Sequence, residues 1–145
     1  MPHSELQVET DDGHCPTHVY HPAGSGPWPG VIMYMDGIGM RPALMEIAER
    51  IANDGYYVLL PNLFYRVEFD ASHGMKVFTD PDLRRDLMTR VLPSASPANV
   101  MRDTDNALHG FVPRDTPVHD EAATARHWET LLALFASTLK AGAPQ

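Results

Sequence analysis

The stretch Gly30-Val31-Ile32-Met33-Tyr34-Met35-Asp36-Gly37-Ile38-Gly39-Met40-Arg41-Pro42 constrains the fold more than any other. Its first half is a short, unbroken apolar run. Such a run suits a strand covered on both faces, as in a parallel sheet. Its second half is a Gly-rich turn. Pro42 predicts a helix start, because the N–H of a first helical residue has no partner to lose. Strand, glycine turn and helix make a βα unit whose turn sits at the carboxyl end of the strand. Open α/β sheets place their ligand sites there. The turn contains neither G-x-G-x-x-G nor G-x-x-x-x-G-K, so it carries no nucleotide signature.

Upstream, Leu6-Gln7-Val8-Glu9-Thr10 and Thr17-His18-Val19-Tyr20-His21 alternate apolar and polar residues. They predict an antiparallel hairpin turned at Asp11-Asp12-Gly13. Downstream, Leu44, Ile47, Ala48, Ile51 and Ala52 form one stripe of a helix over 42–54. Gly55 is the residue expected just past its end. Tyr56-Tyr57-Val58-Leu59-Leu60, stopped by Pro61, predicts a second buried strand. Strand, helix and strand then make a right-handed crossover. Residues 62–79 read as a long loop. Asp80-Pro81 predicts a capped start for a helix with the stripe Leu83, Leu87 and Val91. Pro93-Ser94-Ala95-Ser96-Pro97 predicts a break. Ser96 reads as the cap of a helix running to about Ala107, in preference to a nucleophile. The last helix begins near Asp120, with the stripe Trp128, Leu131, Leu132, Phe135 and Leu139.

A chain of 145 residues makes a single domain, 1–145. Its net charge is −8, with no cluster of Lys or Arg, which argues against nucleic acid or an anionic membrane surface as a partner. No apolar run approaches the ~20 residues of a membrane span. The N-terminus is acidic and polar, unlike a signal peptide. The one cysteine, Cys15, cannot form an internal disulfide, which fits a reducing cytoplasm. Within an extended strand His14 and His18 share a face while His21 points to the other. A closed metal shell is therefore not expected, nor is any cofactor.

Taken in order, the hairpin, the 30–42 stretch, Leu59-Leu60-Pro61-Asn62-Leu63-Phe64-Tyr65-Arg66 and the helix start at 97–103 resemble the first half of the dienelactone hydrolase family. His109-Gly110-Phe111 and the last helix resemble its final thirty-odd residues. The resemblance implies an α/β class: a truncated α/β-hydrolase-like sheet of about four strands flanked by about four helices. It implies a small ester or lactone as substrate. The middle of the family pattern is absent. The helix ending near Leu108 runs directly into His109, and no G-x-C-x-G or G-x-S-x-G nucleophile elbow occurs in the chain.

The resemblance also assigns roles. His109 matches the general-base histidine, which in a triad takes the nucleophile's proton. Asp36, Gly37 and Ile38 match the loop that holds the oxyanion, with Gly37 as a candidate N–H donor. The plain alternative for Gly37 is a turn that needs positive φ. Arg66 matches a segment whose arginine helps hold an anionic substrate. Cys15, in an early strand beside Pro16, is not expected to be a nucleophile. The direct splice is expected to leave His109 more than ~10 Å from Gly37 within one chain, since a twelve-residue helix spans about 18 Å. In the family the hairpin pairs with the strand at 56–60, which pairs with Val31-Ile32-Met33-Tyr34-Met35. The outer edge of that last strand is then bare, so a homodimer through it is expected.

Overall fold

The computed structural model describes residues 2–10, 13–95 and 113–140. Two long strands, β1 (His3–Thr10) and β2 (Gly13–Tyr20), form the hairpin, antiparallel from His3↔Tyr20 to Thr10↔Gly13. Gly13 takes φ +129°, a backbone angle that glycine adopts without a Cβ penalty. Both strands are longer than the alternating runs alone indicate. β3 (Gly30–Ile32) is followed by helix α1 (Pro42–Asn53) and then β4 (Tyr57–Pro61). β4 pairs antiparallel with β2 and parallel with β3. Among the described residues the sheet order is β1-β2-β4-β3, the pairing of neighbours that the family pattern implies, with β3 at the edge.

β3 is shorter than the apolar run that contains it. The last ladder pair is Ile32↔Leu59, and Met33 N–H adds one bond to Leu59 O at 2.9 Å. Beyond that point β4 stays paired with β2, through His18↔Leu60 and Thr17↔Pro61, and no longer with β3. Pro61 ends the strand, Asn62 N–H turns to Pro16 O at 2.9 Å, and Asn62 Oδ1 accepts from Phe64 N–H at 3.1 Å. Met35 lies beyond the last β3–β4 pair. An apolar run records burial, not ladder length, and Met35 is buried all the same.

α1 behaves as its sequence dictates. Pro42 occupies its first turn, Leu44, Ala48, Ile51 and Ala52 are buried, and Gly55 follows with φ +103°. Those residues pack on Tyr20, Val58 and Leu60 of the sheet to form the core. The 62–79 loop holds a 3-10 segment, Ala71–Phe78, and contributes Phe64 and Val77 to the core. α2 (Pro81–Asp86) is capped by Asp80, whose carboxylate accepts from the N–H groups of Asp82 and Leu83 at 2.9 and 3.2 Å. It runs on through a π turn, Leu87–Val91, into a last turn, α3 (Leu92–Ser94). The break expected at Pro93 therefore comes later. A proline inside a helix clashes with the carbonyl four residues back. The widened π turn, with Leu92 N–H reaching Leu87 O, relieves that crowding and carries the chain through Pro93.

Helix α4 (Glu121–Phe135) starts where expected: Asp120 accepts from Ala123 N–H at 2.8 Å. A π turn, Ala136–Lys140, extends it. Trp128 is buried, and Leu131, Leu132, Phe135 and Leu139 pack against the core. The Phe135 ring meets Tyr56 edge-on at 5.3 Å, and the Arg50 guanidinium lies 4.3 Å over Trp128. These contacts tie α4 to α1 and to the start of β4. The helix expected over 96–107 lies outside the described residues. No described helix is long and apolar enough to cross a membrane.

Candidate functional site

The turn after β3 is held by its own backbone and by one buried cation. Asp36 O accepts from Gly39 N–H at 3.1 Å, and Asp36 Oδ1 accepts from Ile38 N–H at 3.0 Å. An aspartate bonding the backbone two residues on is a local turn device. Gly39 takes φ +93°, and a Cβ there would meet the rings of Phe64 and Phe69 at 3.3 Å. Gly39, not Gly37, is therefore the glycine that the backbone angle requires. Gly37 does not lie in the left-handed region, is exposed, and its N–H donates to no described residue. Ile38, the third candidate, has its N–H committed to Asp36.

The sequence gives no hint of what fixes Asp36. Arg41 stands at the N-cap of α1 in extended backbone, with no capping contact of its own. Its side chain folds back under the turn and is only 4% exposed. Nη1 donates to Asp36 Oδ1 at 2.7 Å, and Nε donates to Asp115 Oδ2 at 2.7 Å. Burial pulls the guanidinium's pKa down, but the bonds and charges of Asp115 and Asp36 outweigh that and leave it raised. Nη2 is buried and meets no described acceptor. The one available clue was a non-capping residue at a helix N-cap, where Ser, Thr, Asp or Asn is usual.

Asp115 is significant for where it comes from. It lies six residues after His109 and is anchored at the carboxyl end of β3. His109 itself, like Ser96, lies outside the described residues.

The other candidates fall around this centre. Arg66 is exposed, with its guanidinium 4.4 Å over the Tyr65 ring. It belongs to the segment that also supplies Phe64 beneath Gly39. Cys15 is buried in β2, its Sγ donating to Asn62 O at 3.5 Å, so it presents no thiol to a ligand at the turn. A shallow groove of about 240 Å³ lies between α1 and α4, lined by Ala43, Glu46, Ile47, Arg50, Arg114 and Trp128. His14 and His18 share a face of β2, as expected, while His21 stacks on Trp28 at 5.0 Å. Among the described residues, no group of three or more His, Cys, Asp or Glu could hold a metal ion.

Residues 15–107 match the dienelactone hydrolase family. The chain belongs to that family. It is 26% identical over 104 residues to a protein assigned as a carboxymethylenebutenolidase from Methylorubrum extorquens, covering 72% of this chain and 33% of that one. It is 33% identical over 58 residues to a similarly assigned protein from Azospirillum brasilense, covering 40% of this chain and 25% of that one. The chain thus spans a quarter to a third of the length of these curated relatives. The crystal structure of a protein assigned as a dienelactone hydrolase from Klebsiella pneumoniae superposes with a TM-score of 0.51 at 23% identity. That match covers 62% of this chain and 36% of the other, and it establishes the α/β-hydrolase fold type. Among the described residues the sheet has four strands, and the sequence contains no G-x-C-x-G or G-x-S-x-G motif.

Proposed function

We propose that this protein is a compact carboxylic-ester or lactone hydrolase in which the 36–39 turn binds the oxyanion and His109 is the general base. The observation that carries the reading is the state of the turn. Its geometry is fixed by Asp36, Gly39 and Arg41, while the Gly37 N–H stays exposed and uncommitted. A fixed donor aimed at developing negative charge is what carbonyl addition requires. In this reading an activated water serves as the nucleophile. His109 takes its proton, the hydroxide oxygen bonds to the carbonyl carbon, and the carbonyl π pair becomes an oxyanion held by Gly37 N–H. Collapse breaks the C–O bond to the alcohol, which leaves with the proton from His109. Arg66 would attract a carboxylate on the substrate. The buried, unpaired Cys15 fits a cytoplasmic setting. The same reading makes the protein a homodimer through the edge of β3.

A second reading, a binding module that keeps the turn without the chemistry, is favoured by the absent elbow. One assay separates the two. Hydrolysis of p-nitrophenyl acetate is measured for the protein and for His109→Ala, with and without chelator. A drop of at least a hundredfold in His109→Ala is expected, with no effect of chelator. Equal rates for both proteins would remove His109 from the mechanism and leave the binding module.

A further inference from the structure

One face of the β1–β2 hairpin carries a different chemistry from the rest of the sheet. The register sets Glu5 opposite His18 and Glu9 opposite His14. Directly opposed residues of an antiparallel pair share a face, and His3 joins them two residues before Glu5. His3 Nε2 and His18 Nδ1 stand 3.1 Å apart, with the two rings stacked at 5.3 Å between centroids. Tyr20, opposite His3 in the register, also stacks on that ring at 4.6 Å, which holds it in place. Neither imidazole belongs to the apolar core or to the turn at 36–39.

Two ring nitrogens this close either share a proton or can grip one cation. Two imidazoles on a tetrahedral zinc, each at about 2.0–2.1 Å, hold their nitrogens roughly 3.3 Å apart. The separation in the hairpin is within a few tenths of an ångström of that bite. We propose that His3 and His18 form an open two-imidazole chelate for a divalent first-row ion such as zinc, nickel or copper, the ions that imidazole favours. With no third protein ligand already in place among the described residues, water completes the shell. Glu5, opposite His18, supplies negative charge beside the cation. A ligand imidazole must be neutral. A bound ion would tie the first residues of β1 to β2. The proposal is independent of any hydrolytic activity.

The test uses protein without an affinity tag, stripped with chelator and titrated with zinc chloride in a calorimeter. One equivalent per chain is expected, together with a rise of several degrees in Tm at about a hundredfold excess over Kd. His3→Ala and His18→Ala should each weaken binding at least tenfold. His14→Ala should not, because four residues along a strand put it about 13 Å from His18. Circular dichroism verifies that each variant is folded, and His3→Ala, at the strand's first residue, stands as the test if His18→Ala is not. Undiminished binding in the folded His variants, or no saturable uptake up to about millimolar zinc, would overturn the proposal.

Discussion

Arg41 is the residue on which the shape of the candidate site depends. A guanidinium that is 4% exposed and bonded to two carboxylates is a buried charge compensated on two sides. Removing it leaves Asp36 and Asp115 facing each other without a cation. Breaking a buried pair by deleting one partner costs about 3–5 kcal/mol, and Arg41→Met should fall near the lower end because both carboxylates reach solvent. Urea unfolding measures this. Arg41→Lys should recover only part of the loss, because an ammonium is a point charge and cannot fork to Asp36 and Asp115 at once. Wild-type stability in Arg41→Met would show that the triad holds nothing together. The reading of Gly37 as oxyanion donor would lose its support with it, since Arg41 is what pins Asp36.

At the scale of elements, two histidines give the stability a predictable pH dependence. His18 in β2 and His127 in α4 both have pKa values lowered by burial, from an ordinary value of 6.5. The unfolded chain then binds more protons than the folded one between the depressed values and 6.5. Stability must rise with pH across that window and be lost as pH falls through it. The unfolding free energy, measured with chelator present, should decline from pH 7 toward pH 5. The double variant His18→Gln/His127→Gln should flatten the decline. A wild-type profile that is level or rises toward pH 5 would refute the assignment.

The elements also show what a sequence can and cannot display. Periodicity and caps located the starts of α1, α2 and α4 to within a residue or two, because Pro42, Asp80 and Asp120 act locally. The order β1-β2-β4-β3 followed from the family pattern. The length of β3 did not, because a strand's length is set by its pairing, and its partner lies about 27 residues downstream in the pair Ile32↔Leu59. Arg41 and Asp115 were invisible for the same reason. They are 74 residues apart, and only the fold brings them to 2.7 Å.

At the scale of the whole molecule, the sheet formed by the described residues is left open on one side. β3 is the last strand, and Ile32 and Tyr34 beside its free edge are 57% and 63% exposed. By register Ile32 lies on the same face as Leu59, and through β2 and β1 as Leu6 and Val8, which are also exposed. No Lys, Pro or bulge interrupts residues 30–35 to discourage a new strand. A second copy can continue the sheet across this edge. A two-fold axis beside β3 would pair the strand antiparallel with its own copy. Such a contact is self-complementary and closes, so it ends the exposure without propagating a fibre. An interface of the obligate kind, about 2,000 Å² or more, would cover the edge and part of the apolar face. It would also set two 36–39 turns near one another, each supported by its own Arg41. Light scattering at micromolar concentration should give twice the 16.1 kDa of one chain. Ile32→Lys or Tyr34→Lys should split the dimer or make it aggregate, because either change puts a charge on the joined edge. A stable, folded monomer of the unaltered chain would refute the arrangement, and so would a dimer that survives both lysines intact.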